Sequence, residues 1–328
     1  MTDVQASAAP VSAARMATDV NHDAVIDVRE LRMTYGPFEA VRGIDLRVAR
    51  GEVFAFLGPN GAGKTTTVEI LEGFRRRTDG HVQVLGEDPQ HASAAWRSRI
   101  GVVLQESEPE RDLTVAECLQ LYAGYYPAPR DVDETIELVG LTDKKDAIAT
   151  RMSGGQKRRL DVALALIGDP ELVFLDEPTT GFDPNARRAA WEMVAGLRDL
   201  GVTIFLTTHY MDEAEFLADR VAVIARGQIV AEGTPATLGG RETADARVSF
   251  TLPASTTVAD MPPALREAVV ATEPRVTVTA RSPLSVLGPL VAWAEGRGVD
   301  LPDLEVRRPS LEDVYLELTV PEPTGTNA

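Results

Sequence analysis

One stretch, Gly58-Pro59-Asn60-Gly61-Ala62-Gly63-Lys64-Thr65-Thr66, constrains this chain more than any other feature. It follows the apolar run Val53-Phe54-Ala55-Phe56-Leu57 and precedes Thr65–Leu71, where apolar residues return at helical spacing. The order is strand, glycine loop, helix. Glycines let the backbone curl so that successive N–H groups and the helix N-terminus converge on phosphate oxygens. Lys64 is placed to neutralise the outer phosphates, and the Thr65 hydroxyl to reach a magnesium ion. A chain carrying this unit is expected to fold as an α/β protein that takes its ligand at the carboxyl ends of its strands.

Downstream segments supply matching chemistry. Leu172-Val173-Phe174-Leu175-Asp176-Glu177 is an apolar strand delivering two acids at its end. By itself such a pair reads as a solvated turn. With the glycine loop upstream, Asp176 is the expected Mg²⁺ partner, and Glu177, pointing elsewhere in an extended chain, the group that polarises an attacking water. Gln105 follows the strand Gly101–Leu104, and His209 follows Thr203–Leu206. Each alone is an ordinary strand-end residue, but one sheet would bring both to the rim where the loop sits. Met152-Ser153-Gly154-Gly155-Gln156 precedes a basic helix, so its glycines expose a second anion-binding helix start. With one phosphate loop in the chain, that start is expected to serve another subunit's nucleotide, the alternative being a plain helix cap.

This ordered set resembles the nucleotide-binding subunit of ATP-binding cassette (ABC) transporters over about Val25 to Thr237. Gly58–Thr66 resembles the Walker A motif, Gln105 the Q-loop, Met152–Gln156 the signature motif, Leu172–Glu177 Walker B, Thr180–Asp183 the D-loop and His209 the H-loop. Tyr35 matches the aromatic residue that stacks on adenine, and Met152 and Gly181-Phe182 depart mildly from the usual residues. The resemblance implies a P-loop NTPase cassette with a RecA-like core and a helical subdomain at about 106–160. It implies ATP and Mg²⁺ as ligands, with Thr65, Gln105 and Asp176 facing the metal, and Lys64, Gln105, Glu177 and His209 carrying hydrolysis. Tyr35, Gly58 to Thr66, and Ser153 to Gln156 would bind nucleotide, the last group across a head-to-tail homodimer. The nine-residue run Asp176–Pro184 and the tail Pro309–Leu318 further resemble the daunorubicin/doxorubicin resistance type, whose ATPase pairs with a separate ABC-2 type permease.

The remaining sequence sets the surroundings. No stretch reaches the ~20 apolar residues that span a bilayer, and the N-terminus lacks signal-peptide features, so the reading is a cytoplasmic protein; the resemblance to subunits that pair with a permease implies a peripheral place on the cytoplasmic side of the membrane. Acids outnumber bases 50 to 33, net charge -17, which disfavours nucleic acid as a partner. Residues 1–24 read as a disordered tail, 25–240 as the nucleotide-binding domain, 241–320 as a small α+β domain and 321–328 as a tail. In that small domain Arg247–Leu252 and Arg275–Ala280 read as strands, and Pro263–Val270 and Leu284–Glu295 as helices. Ser310-Leu311-Glu312-Asp313 reads as a capping box opening a helix with Leu311, Val314, Tyr315 and Leu318 on one face. Cys118 is expected buried on a helix, and Arg75-Arg76-Arg77 solvated. A ribosome- or DNA-associated ABC ATPase is the competing class, disfavoured by the single cassette and the acid balance.

Overall fold

The computed structural model describes residues 24–319 apart from 105–109, 111, 254–255 and 273–274. The expected tails therefore fall almost wholly outside the described residues.

The chain opens with β1 (Ala24–Tyr35) and β2 (Phe38–Ala49), a long antiparallel hairpin, then β3 (Val53–Leu57) and α1 (Lys64–Leu71). Next come β4 (Asp79–Val84), the single-turn α2 (Ala94–Arg97) and β5 (Ile100–Val103). Helices α3 (Val115–Ala123), α4 (Val132–Leu138) and α5 (Gly154–Leu166) lead to β6 (Leu172–Asp176), α6 (Pro184–Asp199) and β7 (Thr203–Thr208). Helix α7 (Met211–Leu217), β8 (Arg220–Ala225) and β9 (Gln228–Gly233) complete the cassette.

The six-stranded sheet has the order β5-β6-β7-β3-β8-β9, parallel except for β9. Its inner strands are apolar at nearly every position because both faces are covered. On one face Phe205 lies 5.7 Å from Phe54, Phe56 and Phe174, in a core shared with the antiparallel sheet β2-β1-β4 and α1. On the other face Val173, Leu175, Ile204 and Leu206 meet α5, α6 and the helical segment. Cys118 is buried there, as are Val115 and Leu119. Gly101 allows this contact at its closest point, since a Cβ would stand 2.4 Å from the Ala165 carbonyl of α5.

Beyond the cassette, β10 (Ala246–Phe250), α8 (Pro263–Arg266), β11 (Val269–Ala271), β12 (Val276–Ala280), α9 (Pro283–Arg297) and β13 (Glu305–Arg307) build a four-stranded antiparallel sheet, order β11-β12-β10-β13. Val248, Phe250, Val276, Val278, Val286 and Leu290 form its core. The helix expected over Pro263–Val270 stops at Arg266, because the β-branched pair Val269-Val270 pairs with β12 instead. The last helix, α10 (Leu311–Thr319), opens on a Ser310–Asp313 capping box. It packs on α7 and β8, and Leu311 is buried among Ala55, Leu57, Ala214, Val221 and Leu238.

The arginine run is more engaged than its charge suggests. Arg77 forks onto Asp88 at 2.7 and 2.8 Å, and Arg75 pairs with Glu69 while its guanidinium lies 5.4 Å from the Tyr35 ring. Both are held by carboxylates close by in the fold but distant enough in sequence to escape local reading.

Candidate nucleotide site

Strand register builds the site. Leu57 pairs with Thr208 and Asp176 with Thr207, so the ends of β3, β7 and β6 align and bring Gly58, His209 and Glu177 to one rim. Gly58 must be glycine: a Cβ there would stand 2.3 Å from the Ile224 carbonyl of β8. Gly61 and Gly63 adopt φ of 79° and 109°, the left-handed region that bends the loop into the start of α1. Lys64 is buried and donates to the Gly58 carbonyl at 2.5 Å and to Pro59 at 3.2 Å. Burial lowers its pKa, with Glu177 and Asp176 opposing that effect.

Asp176 accepts from the Thr207 hydroxyl, which fixes one carboxylate oxygen. Glu177 departs from the extended geometry expected of it. Its φ is 44°, and its N–H is held by Thr207, so the chain turns off the strand at this residue. Its carboxylate accepts from the Thr180 hydroxyl at 3.1 Å and lies 3.3 Å from His209 Nδ1.

A cavity of about 750 Å³ runs past these groups. Tyr35 and Phe38, 41% and 56% exposed, line it together with Asp176, Glu177 and His209. Gly58, Pro59, Asn60, Gly61, Gly63, Lys64, Thr65 and Thr66 also line it, while Ala62 is buried. Ser153, Gly155 and Gln156 do not reach it. They line a separate cavity of about 240 Å³ with Phe182 of the following loop, and Gly154 has open space around it. The Ser153 and Gln156 side chains cap α5 reciprocally. Gln105 lies outside the described residues.

Several residues of this region were not read from the sequence as part of a site, Tyr315 having been placed only on the apolar face of its helix. Phe38 is a second aromatic wall beside Tyr35, and Tyr315 of α10 lines the same cavity. Arg158 of α5 is buried and donates to the carbonyls of Leu104, Asp176 (2.8 Å) and Pro178 (3.1 Å), tying the end of β5 and the turn after β6 to α5. Glu213 of α7, fully buried, accepts from Thr179 at 2.8 Å and from the Trp191 indole at 2.9 Å. Only Arg158 had a local signal, a basic residue at helical spacing from the buried Val162 and Ala165 of α5.

Fold and cavity define a P-loop ATPase of the cassette type. The "ABC transporter" family model matches residues 41–180, and the "ABC transporter domain-containing protein-like, C-terminal domain" model matches 246–310. Among curated proteins, the daunorubicin resistance ATP-binding protein DrrA3 of Streptomyces coeruleorubidus is 38% identical over 90% of this chain and 96% of its own length. The Nod factor export ATP-binding protein I of Ralstonia nicotianae is 40% identical over 90% and 94%, and the linearmycin resistance ATP-binding protein LnrL of Bacillus subtilis 34% over 90% and 98%. Among solved structures, cbiO1 from Clostridium perfringens, part of the ABC transporter complex cbiONQ, has a TM-score of 0.61 at 28% identity, covering 66% of this chain and 90% of that one. The chain belongs to the ABC transporter family, as an ATP-binding protein and ATPase. Among the described residues no helix is long and apolar enough to cross a membrane.

Proposed function

We propose that this chain is the ATP-hydrolysing subunit of an exporter, acting on the cytoplasmic face of a separate ABC-2 type permease and working as a head-to-tail homodimer. The observation that carries the reading is the gathering of Lys64, Asp176, Glu177 and His209 on one cavity with the glycine loop. Loop N–H groups and Lys64 hold the outer phosphates of ATP. Glu177 takes a proton from water as its oxygen bonds to the terminal phosphorus and the bridging P–O bond to ADP breaks. His209 and Thr180 hold that carboxylate in place.

The donor set suits Mg²⁺. Thr65 and Asp176 offer hard oxygen atoms, and no group of three metal-ligating side chains occurs among the described residues, which fits a cation that arrives with phosphate. When bound, Mg²⁺ neutralises charge on the phosphate oxygens. Ser153 to Gln156 are assigned to the nucleotide of the second copy, consistent with their separation from this chain's own cavity. Residues 241–320 are assigned to the small C-terminal domain, and about 106–160 to the helical subdomain.

Cargo is assigned as a drug or antibiotic, in line with the daunorubicin and linearmycin resistance relatives. The Nod factor export relatives support a second reading in which the cargo is a different class of molecule. Glu177→Gln is expected to bind MgATP and dimerise with hydrolysis nearly abolished, and Lys64→Ala to lose nucleotide affinity. Wild-type hydrolysis by Glu177→Gln would refute the catalytic assignment. ATPase stimulation by candidate cargoes, measured with the co-expressed permease, separates the two readings.

A further inference from the structure

The cavity assigned to ATP has one wall from an unexpected part of the chain. Tyr315 lies on α10, more than 60 residues beyond the cassette's last strand and outside both segments that match family models. Its place along the cavity follows from packing. Helix α10 rests on α7, which begins two residues after His209, and Leu311 shares an apolar cluster with Leu57, the residue before Gly58. Tyr315 packs against that cluster together with Met211. Tyr315 and His209 line the same cavity, and the helix carrying Tyr315 packs on the one that begins just after His209.

The phenol has the chemistry for that position. Burial raises its pKa, so it remains an uncharged O–H donor at neutral pH. Among the described residues no hydrogen bond occupies its hydroxyl, and its main-chain carbonyl is engaged separately by Thr319. A half-buried donor without a partner, on a cavity built for phosphate, has a natural acceptor in a phosphate oxygen.

We propose that Tyr315 is a nucleotide-contact residue that donates to the terminal phosphate of bound ATP, so that α10 distinguishes ATP from ADP. The inference rests on the assignment of this cavity to ATP. It gives the C-terminal segment a direct reading of nucleotide state, because α10 continues from the four-stranded sheet through β13.

The test is equilibrium binding of AMP-PNP and ADP, each with Mg²⁺, to the full chain and to Tyr315→Phe, which keeps the ring and removes the donor. Loss of one such bond should weaken AMP-PNP binding by about 3- to 10-fold and leave ADP binding unchanged. Equal weakening of both nucleotides, or of neither, overturns the proposal, as does a change in dimerisation with the AMP-PNP to ADP ratio intact. Failure of the unsubstituted chain to bind either nucleotide overturns the cavity assignment along with it, whereas normal binding with an unaltered ratio refutes the Tyr315 role alone. Matching melting temperatures for the two proteins exclude misfolding as the cause.

Discussion

Replacing Arg158 with methionine should loosen the ATPase site from a residue that does not line the cavity assigned to this chain's ATP. The guanidinium joins the signature-side helix α5 to the carbonyls of Leu104, Asp176 and Pro178, and methionine keeps the apolar stem while removing all of these donors. Hydrogen bonds to a charged donor contribute about 1.5 to 3 kcal/mol each. Against that stands the cost of holding the cation out of water, visible in its lowered pKa, with Asp161 at 3.9 Å supplying partial compensation. The net loss is then roughly 2 to 4 kcal/mol, which at about 2 to 4 °C per kcal/mol lowers the melting temperature by roughly 5 to 15 °C. Two of the freed carbonyls flank Glu177, so kcat measured well below the melting range should fall by about tenfold or more as the carboxylate drifts. Arg158→Lys, with one compact donor group, should recover only part of both. Circular dichroism melts and steady-state hydrolysis suffice. A methionine variant that melts and hydrolyses like the parent would refute the idea that this residue braces the loops.

Two other perturbations test neighbouring features. Burial, followed by Asp176 and Glu69, pushes the Glu72 carboxyl up to about 8 from an ordinary 4.5, so the fold keeps a proton that the unfolded chain releases. That contribution is full below pH 4.5 and lost as pH rises through about 8, so nucleotide-free Glu72→Gln in chelator should match the parent near pH 4.5 and melt higher at alkaline pH; a pH-independent difference would count against it. Glu213→Ala strips the acceptor from Thr179 and Trp191, and should cost about 1 to 3 kcal/mol while shifting tryptophan emission, and an unchanged spectrum would show that the indole N–H is bound elsewhere.

Legibility in the sequence followed how local each signal is. Strand β3, the glycine loop and α1 were plain, because a short apolar run, glycine and helical spacing follow one another without interruption, and β6 with Asp176 was equally clear. The sequence reading left α7, β8 and β9 unassigned, since α7 is only 7 residues long and β9 alternates between exposed and half-buried positions against a single partner strand. The turn at Glu177 was missed for another reason. Nothing local favours a positive φ at glutamate, and it is imposed by the bonds to Thr207 across the sheet. The apolar face of α10 was read correctly, but not the surface it covers, which is set by Leu57, Val221 and Leu238 far away in the chain.

That last helix also bears on how the molecule is made. The four-stranded unit is entered past Leu238 and left through Leu311, and both side chains are buried in the same cassette cluster, so in topology the unit is an insertion into the cassette. During synthesis from the N-terminus, the surface formed by Ala55, Leu57, Val221 and Val223 lacks its cover until residue 311 has emerged. A chain halted after Gly240 contains every nucleotide-site motif, yet it would present that apolar surface to water or to another nascent chain. Completion of the ATPase core therefore waits until the last helix, α10, has been made, and the cassette cannot be fully closed before the unit it carries has been built.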